Sequence, residues 1–246
     1  MIKFFKRIRQ QLLTENKFSK YLMYAIGEIV LVVVGILIAL QINKLNNDSL
    51  SKILIRGYAE GVAQDLNKDI AFMDEAIEAY EGFIAIKEWG LRKTSYKASQ
   101  EDSLISYVTT NYREYQITNQ TFEKIKNSGI SEFYKYKDLF DTINNYYTVH
   151  YGRYNNWIEW DARWSAKEFE YWFRPNAQYE FRAGNEYPLI KSEDKNINNL
   201  IKAITTPEGR NRMVFSHYRK TILLSEFKQM KSVASELVNR INSEIK

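Results

Sequence analysis

The sequence predicts an all-α protein, with one N-terminal transmembrane helix followed by an extracytoplasmic helical bundle with long helices. Three observations carry that expectation. Residues Tyr21–Ile42, YLMYAIGEIVLVVVGILIALQI, form a long apolar run holding one carboxylate, Glu28. Beyond it, apolar residues recur at three- and four-residue steps over long stretches, the period of a helix face. Three prolines and ten glycines are few, and the abundance of Lys, Glu, Leu, Ile and Tyr favours helix over a turn-rich β architecture. The organisation read from this is a basic tail at 1–20, a transmembrane helix at 21–43 and a helical domain at 44–246.

The span comes first. Its 22 residues reach about 33 Å as a helix, enough for a hydrocarbon core of about 30 Å. Only Ile29–Leu40 is free of polar groups, a length that would suit a signal-peptide core. The long basic region ahead of it and the lack of a small-residue cleavage pattern favour an uncleaved anchor.

Charge orients it. The formal net charge is +5, which in another setting would point to nucleic acid. Here Lys3, Lys6, Arg7, Arg9, Lys17 and Lys20 stand against Glu15 alone, so the tail carries the whole excess. The positive-inside rule then places the N-terminus in the cytoplasm and residues 44–246 on the other side of the membrane, with no nucleic acid as partner. Ile2, Phe5, Ile8 and Leu12 share a helical side opposite most of the basic residues. That pattern fits an amphipathic helix lying on anionic lipid, or a basic tail that only sets orientation.

Glu28 is the unusual residue of the span. An ionised carboxylate in mid-bilayer costs about 2.5–3.5 kcal/mol on insertion scales, so such a group faces a partner or a wet cavity, or sits at the interface. Gly35 and Ala39 form a small-xxx-small pair that would let a second helix approach.

Residues 15–43, ENKFSKYLMYAIGEIVLVVVGILIALQIN, resemble the N-terminal signature of a large family of uncharacterised single-span Bacteroidetes inner-membrane proteins, with the same basic tail, YAIGEI start and GILIALQIN finish. Residues 121–147, TFEKIKNSGISEFYKYKDLFDTINNYY, resemble the family's second pattern: an aromatic, a short helix, a K-x-S-G break and a long helix ending in paired aromatics. The chain departs at Lys44-Leu45, where members often carry Asn-Trp. The resemblance implies an inner-membrane anchor with a helical extracytoplasmic domain, and brings no catalytic motif.

In the outer domain, Asn46, Asn47 and Asp48 offer a break or a polar collar. Leu50, Leu54, Tyr58, Val62, Leu66, Ile70, Met73, Ile77, Tyr80 and Ile84 then trace one helix side, with a close helix contact expected at Gly57 and Gly61. Helices are expected at about 100–112, at 121–126 with a glycine stop at Gly129, from an Asp138 cap to Phe173, from Ser192 to Ile204, and from a Thr206-Pro207 start to Ile245.

No composition points to an enzyme. The chain has no cysteine, which excludes disulfides, thiolate metal sites and a Cys nucleophile. His150 and His217 are the only histidines and lie in no metal-binding spacing. No phosphate loop or serine-hydrolase motif is present. Catalytic, cofactor and metal residues are therefore expected to be none. Glu159, Asp161, Glu168 and Glu170 are expected to form solvated pairs with Arg163 and Lys167. The richest stretch is 146–173, where Trp157, Trp160 and Trp164 share a helix side and Arg153 and Arg163 can stack on the rings. That side is either bundle core or a surface for a partner or ligand. The functional expectation is a membrane-anchored, non-enzymatic protein whose helical domain binds another envelope protein or itself, as scaffold, accessory subunit or sensor. The rivals are an accessory subunit of an ion-coupled transport or motor complex using Glu28, and an envelope ligand-binding module using the tryptophan face.

Overall fold

Helix is what the sequence dictates, and every regular element among the described residues is helical. The computed structural model describes residues 18–113, 116–130, 132–173, 179–180, 187–190 and 192–245. Residues 1–17 of the basic tail lie outside them, as does most of the 176–192 loop. Seven α-helices are described: α1 Phe18–Leu91, α2 Glu101–Val108, α3 Gln120–Asn127, α4 Lys137–Asn145, α5 Tyr151–Phe173, α6 Glu193–Ile204 and α7 Pro207–Glu244. The chain divides into two units, Met1–Arg56 and Gly57–Lys246.

In the first unit, α1 shows no buried face along the apolar run. Ile29, Leu31, Leu37 and Ile42 are 63%, 74%, 59% and 63% exposed. This helix is long and apolar enough to cross a membrane, and water is a poor solvent for a helix apolar all round. The polar triplet Asn46–Asp48 does not break it, because no proline intervenes and Asn and Asp cost a helix only tenths of a kcal/mol, up to about 0.7. Leu50 and Leu54, expected on the buried stripe, are exposed.

The second unit has a core along α1, α5 and α7. The α1 line is Ala59, Val62, Leu66, Met73, Ala76 and Tyr80, all at most 1% exposed. It is offset from the predicted stripe, since Tyr58, Ile70, Ile77 and Ile84 are only half-buried. Two carboxylates interrupt the line for a local reason. Asp65 Oδ2 accepts from Thr121 N at 3.0 Å and Asp69 Oδ1 from Thr118 N at 2.8 Å. Thr121 N is a first-turn donor of α3 with no partner within that helix, and Thr118 N lies just ahead of the helix. A Cβ on Gly61 would come within 2.9 Å of Thr121, so the close contact is real there, while Gly57 has open space.

The stop after α3 is as predicted: Gly129 has φ +71°, a conformation that favours glycine. The long helix expected to Phe173 is present as one continuous run from Lys137, α4 and α5 joined through a π-helical turn at Tyr146–His150, but its cap position is Tyr136, which leaves Asp138 inside the first turn. The wider turn puts two consecutive tyrosines inward: Tyr146 donates to Asp69 at 3.4 Å and Tyr147 to Thr118 O at 3.1 Å. At the last helix Thr206 Oγ1 accepts from Gly209 N at 3.0 Å with Pro207 following, the predicted start. Arg210 of α7 donates to the carbonyls of Lys93 and Leu91, covering the C-terminal end of α1.

Candidate functional site

Buried positions on α5 run Tyr154, Ile158, Asp161, Ser165, Glu168 and Trp172. On α7 they run Met213, Ser216, Arg219, Lys220, Leu223 and Phe227. The spacing is that of an inward face on both helices, yet its middle is polar. Where these faces meet α1 at Tyr80 and Lys87, a polar layer separates two apolar ones. Tyr80, Tyr154 and Phe227 pack as rings 5.1 and 5.5 Å apart on one side. Leu104, Tyr107, Trp172, Leu200 and Met213 cluster on the other.

Asp161 is the hub. Its Oδ2 accepts from Lys220 Nζ at 2.6 Å and from the Tyr80 hydroxyl at 3.2 Å, and Arg219 Nε lies 3.5 Å from Oδ1. Lys220 also reaches Ser165 Oγ at 3.4 Å. Glu168 faces Arg212 at 3.6 Å, and Arg212 stacks on the Tyr171 ring at 3.7 Å. Lys87 donates to the carbonyls of Tyr107 and of Thr109, the latter at 2.9 Å. Asp161, Glu168, Lys87, Arg219 and Lys220 are each at most 2% exposed.

Burial governs the titration of this layer. Loss of water pushes Lys87 down to about 7, and the Lys220 and Arg219 charges push the same way against Glu168. Lys220 falls to about 8 by burial, despite Asp161, and Arg219 is also lowered by burial. Burial raises Glu168 against the pull of Arg212, Arg219 and Lys87. Burial and the Asp161 charge drive the Tyr80 phenol far above its ordinary value. A raised carboxylate, Glu168, beside lowered lysines in one desolvated layer is the physical pattern of a functional site, one that structural ion-pair networks share.

The expected solvated pairing is corrected at two positions. Glu159 and Glu170 are exposed, but Asp161 and Glu168 are buried and pair across to α7. The signal that could have found them was present: Asp161, Ser165 and Glu168 continue the register of Ile158 and Trp172 at steps of three and four. Their charge argues for solvent more strongly than their register argues for burial, and their partners lie some fifty residues away.

The aromatic stretch splits. Tyr147 and Tyr154 enter the core, at 6% and 0% exposed. Trp157, Trp160 and Trp164 are half-buried on a flanking side. Trp157 meets Trp160 edge-on at 5.4 Å, and Phe215 of α7 receives Trp160 and Trp164 at 5.8 and 5.0 Å. Lys167 lies over the Trp164 ring at 4.4 Å. Trp160, Arg163, Trp164, Ala166 and Lys167 line an open recess of about 490 Å³. Arg153 does not join it; its guanidinium pairs with Glu226 at 2.6 Å and ties α5 to α7.

Glu28, Gly35 and Ala39 lie on the exposed apolar length of α1, and a Cβ on Gly35 would meet nothing within 4 Å. His217 lies 3.5 Å from Glu88. Among the described residues no three His, Asp or Glu side chains converge as a metal site requires. No family model matches the chain, and no curated protein or solved structure shows significant similarity to it.

Proposed function

We propose that this is a membrane-anchored, non-enzymatic protein whose helical unit binds a partner protein through the tryptophan side of α5. The observation that carries the reading is the recess at Trp160, Arg163, Trp164 and Lys167. Its rings are held edge-on by Phe215 but left partly exposed, and Val214 and Tyr218 flank Phe215 at 49% and 56% exposure. Aromatics with Arg at a concave site are the residues that dominate binding energy at protein interfaces. The cations fit a partner that offers an apolar side chain bordered by acidic groups.

The apolar length of α1 and the basic tail support the rest of the assignment: an inner-membrane anchor, N-terminus cytoplasmic, helical unit periplasmic, tail on anionic lipid. The resemblance of residues 15–43 to single-span envelope proteins agrees with it. Another envelope protein or a second copy is then the partner.

The test is site-specific photo-crosslinking in the native membrane, with the photoreactive residue replacing Arg163 or, as control, the exposed Gln229. One discrete adduct from position 163, lost in Trp160→Ala/Trp164→Ala while the melting transition of the helical unit persists, is the expected result. Equal labelling from both positions, or an adduct indifferent to the tryptophans, would remove the reading.

A further inference from the structure

A second site is independent of that surface. Lys87 and Lys220 line the same cleft, about 360 Å³ in volume, together with Gly82, Phe83 and Ile86 of α1 and Ser106, Thr109 and Asn111 of the facing segment. Charge in the polar layer behind it does not balance. Three fully buried cations, Lys87, Arg219 and Lys220, stand against two buried carboxylates, Asp161 and Glu168. Arg212, with its side chain 29% exposed, adds a further positive charge beside Glu168.

The carboxylates are already committed. Asp161 is shared by Lys220 and Arg219, and Glu168 faces Arg212. Lys87 is held by two neutral carbonyls, and no carboxylate lies within ion-pair distance of it among the described residues. The two terminal nitrogens of Arg219, a residue 0% exposed, have no hydrogen-bond partner there. Leaving cations buried without counter-charge costs several kcal/mol. A mobile anion entering the cleft would offset that cost.

We propose that this cleft binds a small organic anion bearing a carboxylate or phosphate group. Two ammonium groups would hold the oxyanion, Ser106, Thr109 and Asn111 would supply neutral polar contacts, and Phe83 and Ile86 would cover a short carbon body. The cleft lies at the small end of the range for ligand pockets. Lysines act on such a group as point charges, without the paired geometry of arginine, which suits carboxylate and phosphate alike.

The site has a pH signature. The groups facing Lys87 are Lys220 and Arg219 from α7, Glu168 from α5 and the Tyr107 ring from α2, 5.7 Å from its ammonium. Only the protonated lysine holds an anion, so binding at pH 8 takes up a proton and weakens as pH rises.

The experiment is calorimetric titration of the full chain in mild detergent with inorganic phosphate and, separately, succinate, at ionic strength matched with chloride. Saturable binding of at least one is expected, weaker by more than about tenfold at pH 9 than at pH 7. Lys87→Met risks the fold, so the deciding variants are at Gly82, which is exposed with nothing within 4 Å of an added Cβ. Gly82→Glu sets a carboxylate at the mouth and weakens binding by about tenfold or more. Gly82→Gln, of similar size and neutral, is the reference against which that loss is read. Phosphate alone or succinate alone binding would support the proposal and identify the head group. No saturable binding of either, or equal binding by the Glu and Gln variants, would overturn it.

Discussion

Replacing Asp161 by Asn tests the polar layer most directly, because it keeps the shape and removes one charge. In the parent, Asp161 is 1% exposed and balances Lys220 at 2.6 Å and Arg219 at 3.5 Å while accepting from Tyr80. In Asp161→Asn both cations stay buried with no carboxylate in contact. Breaking a buried pair from one side costs about 3–5 kcal/mol, a large part of the about 5–15 kcal/mol that typically holds a domain together. Urea unfolding in mild detergent followed by tryptophan fluorescence measures it cleanly. Trp89, Trp157, Trp160, Trp164 and Trp172 all lie beyond residue 57, so the signal reports on the helical unit alone. The loss shrinks at pH 9, where Lys220 can shed its proton. Adding Lys220→Met recovers about 1–3 kcal/mol, since a pair removed from both sides leaves less uncompensated charge. The exposed Glu159→Gln is a control within about 0.5 kcal/mol of the parent. A loss below about 1 kcal/mol for Asp161→Asn, the worth of a surface ion pair, would refute the buried layer as described.

Stability of the helical unit rises between pH 7 and 9. Lys87 and Lys220 titrate near 7 and 8 when folded but near 10.5 when unfolded. Over that window the unfolded chain holds more protons, at up to about 1.4 kcal/mol per pH unit for each lysine. Above about pH 10 the raised phenols of Tyr80 and Tyr107 reverse the trend as they ionise in the unfolded chain. Urea midpoints that stay flat or fall from pH 7 to 9 would contradict this. Gly90→Ala drives a methyl into the Tyr107 ring and costs about 1–3 kcal/mol by overpacking. Gly82→Ala, in open space on the same helix, gains about 0.5–1 kcal/mol; the two melting temperatures should therefore move in opposite directions. Thr206→Ala removes the acceptor for Gly209 N, costs about 1 kcal/mol, and is checked by the same unfolding curve.

Much of the helical unit was legible because its signals are local. The Thr206-Pro207 start and the Gly129 stop each act within one turn of chain, and each appears where the residues place it. Long apolar stripes were read in kind but displaced in phase on α1, where the true line passes through Asp65, Asp69 and Lys87. A hydropathy reading steps around those residues, because charge argues for water. Only the distant groups that satisfy them, Thr118 and Thr121 for the aspartates and the Tyr107 and Thr109 carbonyls for Lys87, make the buried register tenable. The same limit hid Asp161 from Lys220. The π-helical turn at Tyr146–His150 was not visible for a related reason. Two adjacent tyrosines both find buried acceptors only once α1 and the start of α3 stand beside them.

A polar layer between two apolar ones has an obvious structural use: it fixes how α1, α5 and α7 slide along one another. Shifting α7 by a turn would strand Asp161 opposite apolar residues at the cost of an unpaired buried charge. That role, however, asks only for matched pairs. Asp161 with Lys220 and Glu168 with Arg212 already satisfy it. Arg219 shares Asp161 with Lys220, but Lys87 is surplus to the pairing, and burying it costs stability that no register requirement repays. A ligand anion in the cleft is the counter-charge that accounts for it. On that argument register and binding separate experimentally. Disrupting a matched pair should lower stability with or without phosphate or succinate present. A carboxylate at Gly82 should remove the response to the anion, which the neutral Gln variant keeps.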